Sequence, residues 1–205
     1  MTNAASVEEN PGGFVPDARQ DADLLRELGF IPGLKEILML RQVHALEHAT
    51  VWVLSEGAGS SDSVRIADNQ LLGGMSTERG FYLYGDVATS DVQRAVHGAL
   101  RRITTGGYDL AVHPRCGTNL SVLMLLTAGM GFGITMLLPK GPMGQLLGFG
   151  IAATAAAQLA PDLGAVAQRY VTTAIPFNLE IAQISAIQDF WGRPTHFVEV
   201  RWQES

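Results

Sequence analysis

A chain of 205 residues with a single cysteine and a formal charge of -6 excludes two broad classes at once. Cys116 alone cannot build an internal disulfide framework and suits a reducing compartment, and an acidic chain without a Lys/Arg run lacks the basic face that a nucleic-acid partner requires. The length allows one domain with a substantial core plus appendages, while charged residues nearly vanish from one long interval in the second half.

Residues 1–23 are polar and acidic, with Pro11, Gly12, Gly13 and Pro16, and have neither the basic start nor the apolar centre of a secretory signal; they read as a disordered tail. A short amphipathic helix over Asp21–Leu28 is stopped by Gly29 and the Ile31-Pro32-Gly33 turn. Leu34–Glu56 contains no Gly or Pro and is followed by Gly57, which predicts one helix of about six turns. Between Leu38 and Leu54 its formally charged residues are Arg41 and Glu47, so it should be buried all round, by protein or partly by lipid.

After a small-residue loop over 57–62, Val64–Ile66 and Gly80–Val87 read as short strands. Thr89 or Ser90 should cap a helix running to about Ile103 that ends at Gly106-Gly107, and Tyr108–Val112 should return as a strand. Residues 24–118 thus form a small α+β unit around a long buried helix.

Cys116–Pro139 and Gly141–Pro161 carry no charge, and each meets the roughly 20 apolar residues needed to cross a hydrocarbon core. Separated by the Pro139-Lys140-Gly141-Pro142 turn, they predict a two-helix transmembrane hairpin over 119–160. Gly129 and Gly133, then Gly144, Gly148, Ala152, Ala156 and Ala160, recur at a spacing that lets helix backbones approach closely. The other arrangement that this composition allows is a helical hairpin buried in a soluble protein. Arg101, Arg102, Arg115 and Arg169 flank the hairpin against Lys140 in its turn, which places the bulk of the chain in the cytoplasm. Residues 161–205 should add a short helix to about Tyr170, an amphipathic helix over Asn178–Phe190, and a strand over His196–Trp202 that returns to the α+β unit.

His44, Glu47 and His48 form H-x-x-E-H on the apolar helix. At 3.6 residues per turn the three share one face, so two imidazoles can reach one ion while the carboxylate stands beside it. That is the order of the inverted zincin motif, in which two His nitrogens and a third ligand hold zinc and the carboxylate is the general base. The alternative is a pair of core histidines with Glu47 paired to Arg41. An ionisable triplet on an otherwise apolar helix favours a divalent metal, which neutralises it directly. His113-Pro114-Arg115-Cys116-Gly117-Thr118-Asn119 supplies a second cluster at the start of the first membrane helix. His113 or Cys116 is the candidate third ligand, with Arg115 as an anion binder and Asn119 as a substrate contact. Cys116 taken alone also reads as an inert buried residue, and His113 as a structural hydrogen-bonder. His97 reads as surface and His196 as structural, while Glu78 and Arg79 are weaker candidates to face the site.

The stretch from Arg41 to Thr50, followed by the H-P-R-C-G-T-N stretch and a hydrophobic hairpin, resembles an uncharacterised bacterial, cyanobacterial-type membrane family of unknown function and, more distantly, the YqhQ-like family, in the order of features over residues 38–190. It departs from the YqhQ-like pattern at Ala45, Leu46, Ala49 and Asn119. The resemblance implies one site joining His44, Glu47 and His48 to the His113–Cys116 stretch, and supplies no reaction. The expected function is a zinc- or other divalent-metal-dependent hydrolase, a peptidase among the options, anchored in a lipid bilayer. The competing expectations are a non-enzymatic metal- or tetrapyrrole-binding factor that supports assembly of a membrane complex, and a structural subunit whose hairpin packs against partner helices.

Overall fold

The computed structural model describes residues 16–57, 72–138 and 141–203. In chain order they form α1 (Gln20–Leu28), α2 (Leu34–Gly57), β1 (Gly73–Thr77), β2 (Gly80–Tyr84), α3 (Thr89–Thr104), a 3-10 turn (Tyr108–Ala111), α4 (Gly117–Leu137), α5 (Pro142–Ala167) ending in a π-turn (Gln168–Thr172), β3 (Leu179–Gln188) and β4 (Pro194–Trp202). The α+β class and the two long apolar helices are as the sequence predicts. The candidate strand over Val64–Ile66, most of the acidic tail, and Pro139 and Lys140 of the hairpin turn lie outside the described residues.

The four strands form one antiparallel sheet in the order β1-β2-β4-β3. Phe81 and Leu83 of β2, opposite Val198 and His196 of β4, turn their apolar side chains onto α2 and α3. There they pack with Val43, Leu46, Val92, Val96, Ala99 and Ile103 in one buried core. From Gln42 to Val51 every residue of α2 except His44 is buried, whereas Ile37 and Leu40 nearer its start are exposed. The all-round burial expected of α2 therefore holds for its middle and gives way at the end nearest the apolar hairpin.

Three local expectations are corrected. Asn178–Phe190 is not a helix: Leu179–Gln188 is a strand that turns through Gly192 (φ 75°) into β4. Ile181 pairs with Val200 and Gln183 with Glu199, so Ala182 is an extra residue in a β-bulge. The bulge shifts the alternation by one and puts Leu179, Ile181 and Ile184 on one face, a spacing that reads as helical. Tyr108–Val112 is not a strand either. It closes on local bonds, Leu110 N to Gly107 O and Val112 N to Asp109 O, and spends its carbonyls on α2, where Trp52 Nε1 donates to Val112 O. Third, Pro161 does not end α5. Proline's fixed φ is compatible with a helix and costs it one donor, and Pro161 lies on the exposed face of α5.

The start of α3 also differs. Its N-cap is Ala88, without a side-chain cap, because Thr89 Oγ1 instead meets His196 Nε2 at 3.0 Å. The Gly106-Gly107 stop holds: Gly106 takes φ 121° and Gly107 N reaches back to Arg102 O at 2.9 Å.

In the hairpin, Gly148, Ala152, Ala156, Ala160 and Gly164 are the buried residues of α5, a four-residue stripe laid against α4. On α4 the residue at the contact is Gly131, where an added Cβ would lie 3.5 Å from Phe149 and 3.9 Å from Ala152; at Gly129 and Gly133 it would meet nothing within 4 Å. Large apolar side chains point the other way, with Leu120, Met124, Leu125, Phe132, Met136, Leu146 and Leu147 all exposed. A helix pair that buries its small residues and exposes its large ones inverts the pattern of a water-soluble core. Both helices are long and apolar enough to cross a membrane.

Candidate metal centre

One face of α2 carries the site. His44 and His48, one turn apart, face each other tilted by 59° with ring centroids 4.3 Å apart. Each ring is fixed by a backbone carbonyl: Thr172 O lies 3.0 Å from His44 Nδ1 and Ala111 O lies 2.7 Å from His48 Nδ1. A carbonyl oxygen can only accept, so each Nδ1 carries the hydrogen and each Nε2 presents its lone pair. The 3-10 turn and the π-turn, neither of which has a side-chain signature, thus set the tautomer of both rings.

Cys116 is the N-cap of α4, and its sulfur accepts from Thr118 N. Cys116 Sγ lies 3.3 Å from His44 Nε2, and one ligand atom each from His44, His48 and Cys116 fall within 4.8 Å of one another. Burial pushes the Cys116 thiol up, but interactions with His48 and Thr118 outweigh it and hold the thiol below its ordinary value, as expected of a sulfur at a helix N-terminus beside imidazoles.

Glu47, 7% exposed, faces the same space. Burial raises its pKa, a hydrogen bond from Ser76 Oγ and the nearby His44 pull it back only in part, and the carboxyl stays above its ordinary value. Gly74 of β1 makes room for it, since a Cβ there would fall 2.2 Å from Glu47 Oε1.

His113 comes to the same cavity with its ring centroid 5.7 Å from that of His48. Its Nδ1 accepts from Arg115 N at 3.3 Å and its backbone N–H donates to Gln168 Oε1 at 2.8 Å. Burial, with His48 and Arg115 close by, drops its pKa to about 4. His113 is therefore a neutral ring whose remaining N–H is a donor, and it stands outside the close trio. Of the two candidate third ligands, the geometry brings Cys116 and not His113 to the imidazole pair.

Arg115 lines the cavity. Asn119 does not: its Nδ2 donates to Pro114 O at 2.7 Å and its Oδ1 accepts from Gln168 Nε2 at 2.8 Å, so both ends of the amide tie the loop to the hairpin. His97 is exposed on α3, bonded to Gln93 O. Glu78 and Arg79 sit exposed in the β1–β2 turn away from the cavity. Arg41, a candidate partner of Glu47, donates instead to Tyr170 O and Thr173 O.

Four contributors escape the sequence reading: Ser76, Gly74, Thr172 and Gln168. Ser76 and Gly74 lie in a small-residue run with no chemical signal, and Thr172 acts through its main chain. Gln168 alone could have been found, as an amide at the end of a long apolar helix where an unpaired polar group is costly. The cavity that the two clusters line, with Gly74, Ser76 and Thr172 but without Gln168, has a volume of about 640 Å³, within the range of small-molecule sites.

A protein-family model described as a domain of unknown function, DUF6391, matches residues 39–184, which takes in most of α2, both clusters and the hairpin. An uncharacterised protein of Picosynechococcus sp. is 51% identical over 192 residues, 94% of each chain. No solved structure matches the chain. The chain that brings His44, His48 and Cys116 together at the foot of an apolar hairpin belongs to the DUF6391 family.

Proposed function

We propose that this protein is a membrane-anchored, metal-dependent hydrolase whose ion, zinc by preference, is held by His44 Nε2, His48 Nε2 and Cys116 Sγ. In this reading the hairpin spans the bilayer, and the flanking arginines favour the cytoplasmic side for the rest of the chain. One observation carries the reading: both imidazoles are locked by carbonyls in the tautomer that turns Nε2 toward one thiol. That is how ligating histidines are oriented at metal sites.

The donor set fits the ion. Bonds of about 2.0–2.3 Å in a tetrahedron put ligand atoms about 3.3–3.8 Å apart, against 3.3 Å between Sγ and His44 Nε2 and a trio that spans no more than 4.8 Å. Three protein ligands leave a fourth position for water, the mark of a catalytic site. The H-x-x-E-H face and the H-P-R-C stretch, expected from the sequence to form one site, line the same cavity, which supports reading them together.

When bound, the ion supplies a Lewis acid that makes a water nucleophilic near neutral pH. Glu47 holds that water, takes its proton as the oxygen attacks a carbonyl carbon, and returns the proton to the leaving group as the acyl bond breaks. His113 offers an N–H to the carbonyl oxygen as negative charge develops on it.

The test is cobalt substitution of the full chain in detergent. Co(II) should give a thiolate charge-transfer band in the near ultraviolet, which Cys116→Ser abolishes and His113→Ala retains. A protein that binds no cobalt, or a band that survives Cys116→Ser, overturns the ligand set. A Soret-type band in the protein as isolated selects the tetrapyrrole-binding alternative.

A further inference from the structure

The face of α2 that lines the cavity reads in order Ile37, Leu40 with Arg41, His44, Glu47 with His48, and Val51. It passes from apolar and exposed, through polar, to apolar and buried. Across the cavity Val171 completes the outer rim, so that Ile37, Leu40 and Val171 are 57%, 40% and 65% exposed. An apolar rim open to water is unfavourable and marks a contact surface.

Its position says what it contacts. The rim lies where the hairpin begins and ends, since Thr118 Oγ1 in the first turn of α4 meets Thr172 Oγ1 at the close of the π-turn at 3.1 Å. A helix of 21 residues rises about 31 Å, nearly the ~30 Å of a hydrocarbon core. When α4 crosses, its first turn and the cavity rim stand at the boundary between acyl chains and headgroups. Just before α2, Phe30 and Ile31 are exposed as well, extending the apolar surface on that side.

We infer that the cavity takes an acyl lipid from the bilayer. Its chain lies along Ile37, Leu40 and Val171, and its ester or amide carbonyl sits between Glu47 and the His44–His48–Cys116 trio. Arg115, which also lines the cavity, matches an anionic headgroup. Resting on the hydrolase reading, this lipid is the substrate. The oxygen of water bonds to the acyl carbon, the acyl C–O or C–N bond breaks, and Glu47 carries the proton from water to the departing alcohol or amine, with no change in oxidation state.

The probe is a phosphatidylglycerol bearing a mid-chain diazirine, doped into phosphatidylcholine vesicles that hold the full-length protein; adducts are mapped by mass spectrometry after illumination. Adducts are expected on Ile37, Leu40 and Val171. Leu40→Trp, or Val171→Trp from the opposite side, should fill the rim and reduce them at least roughly tenfold, a loss of about 1.4 kcal/mol in binding. Adducts at Leu146 and Leu147 on the outer face of the hairpin should be unchanged. Rim adducts that neither tryptophan reduces would mean immersion in lipid and no bound chain, and would overturn the inference. Metal-free protein with tryptophan-sensitive adducts would keep the lipid site and sink the hydrolase. Metal-loaded protein without rim adducts would sink the lipid alone, and peptide release by that protein would put an extended peptide in its place.

Discussion

Replacing Glu47 with glutamine should leave the metal in place and lower hydrolysis about 10²–10⁴-fold. The substitution conserves shape in a spot with no slack, since Gly74 already gives up its side chain to admit the carboxylate. A glutamine carbonyl can still accept from Ser76 Oγ, so the hydrogen bond that aims the side chain survives. What disappears is the capacity to take a proton. Stability should hold or rise slightly, because a buried carboxylate kept above its ordinary pKa by desolvation costs free energy that a neutral amide does not. The check is single-turnover hydrolysis of an acyl ester by metal-loaded protein, with metal content measured on the same sample. Wild-type rates with bound metal would remove Glu47 from the role of general base.

Gln168→Leu should have the largest effect on stability and should weaken the metal site at a distance. Gln168 is fully buried. Its Oε1 receives His113 N–H and its Nε2 donates to Asn119 Oδ1, both at 2.8 Å, so one side chain pins the H-P-R-C loop to the end of α5. Leucine leaves a buried N–H and a part-buried amide oxygen without their partner. At about 1–3 kcal/mol for each orphaned group, the loss is about 2–6 kcal/mol. Cys116 follows His113 by three residues, so a loosened loop lets the thiol drift from the imidazoles. The expected result is a lower midpoint of denaturant unfolding in detergent, together with faster loss of metal to a chelator. Unchanged unfolding with unchanged metal retention would show that the loop is held by other contacts.

The legible parts of this protein are those in which local pattern and final environment agree. The H-x-x-E-H face follows from helical spacing alone, and the structure turns it into one cavity. The hairpin follows from length and absence of charge, and the stripe on α5 from four-residue spacing. Legibility fails where a tertiary partner redefines the pattern. Ala182 adds one residue to a strand and makes its inward side chains look helical. Residues 108–111 give up strand geometry because their neighbours on α2 want the carbonyls of Ala111 and Val112. Gly129 and Gly133 have the right spacing, but α5 arrives at Gly131 between them. At the site the same division holds. Ligand side chains can be read from residue type, while the carbonyls of Thr172 and Ala111 that orient the rings are main-chain groups and leave no trace in composition. The choice between His113 and Cys116 also needed coordinates, because it depends on the Cys116 sulfur, and no ligand atom of His113, falling in the close group with His44 and His48.

The grouping of His44, His48 and Cys116 is placed for strength as well as for access. His44 joins α2 to the π-turn through Thr172 O, His48 joins α2 to the 3-10 turn through Ala111 O, and Cys116 caps α4. Three connections around the foot of the apolar hairpin thus converge on one pair of rings. An ion at that point would tie the α+β unit to its anchor, so metal loading should contribute to folding as well as to chemistry.

The most direct measurement is elemental analysis of the full-length protein purified in detergent without chelator, set beside the His44→Ala/His48→Ala variant. About one zinc per chain in the wild type, with little or none in a variant that remains folded, is the expected result. Metal-free wild-type protein, or equal zinc in both, would contradict the metal centre on which the proposed chemistry stands.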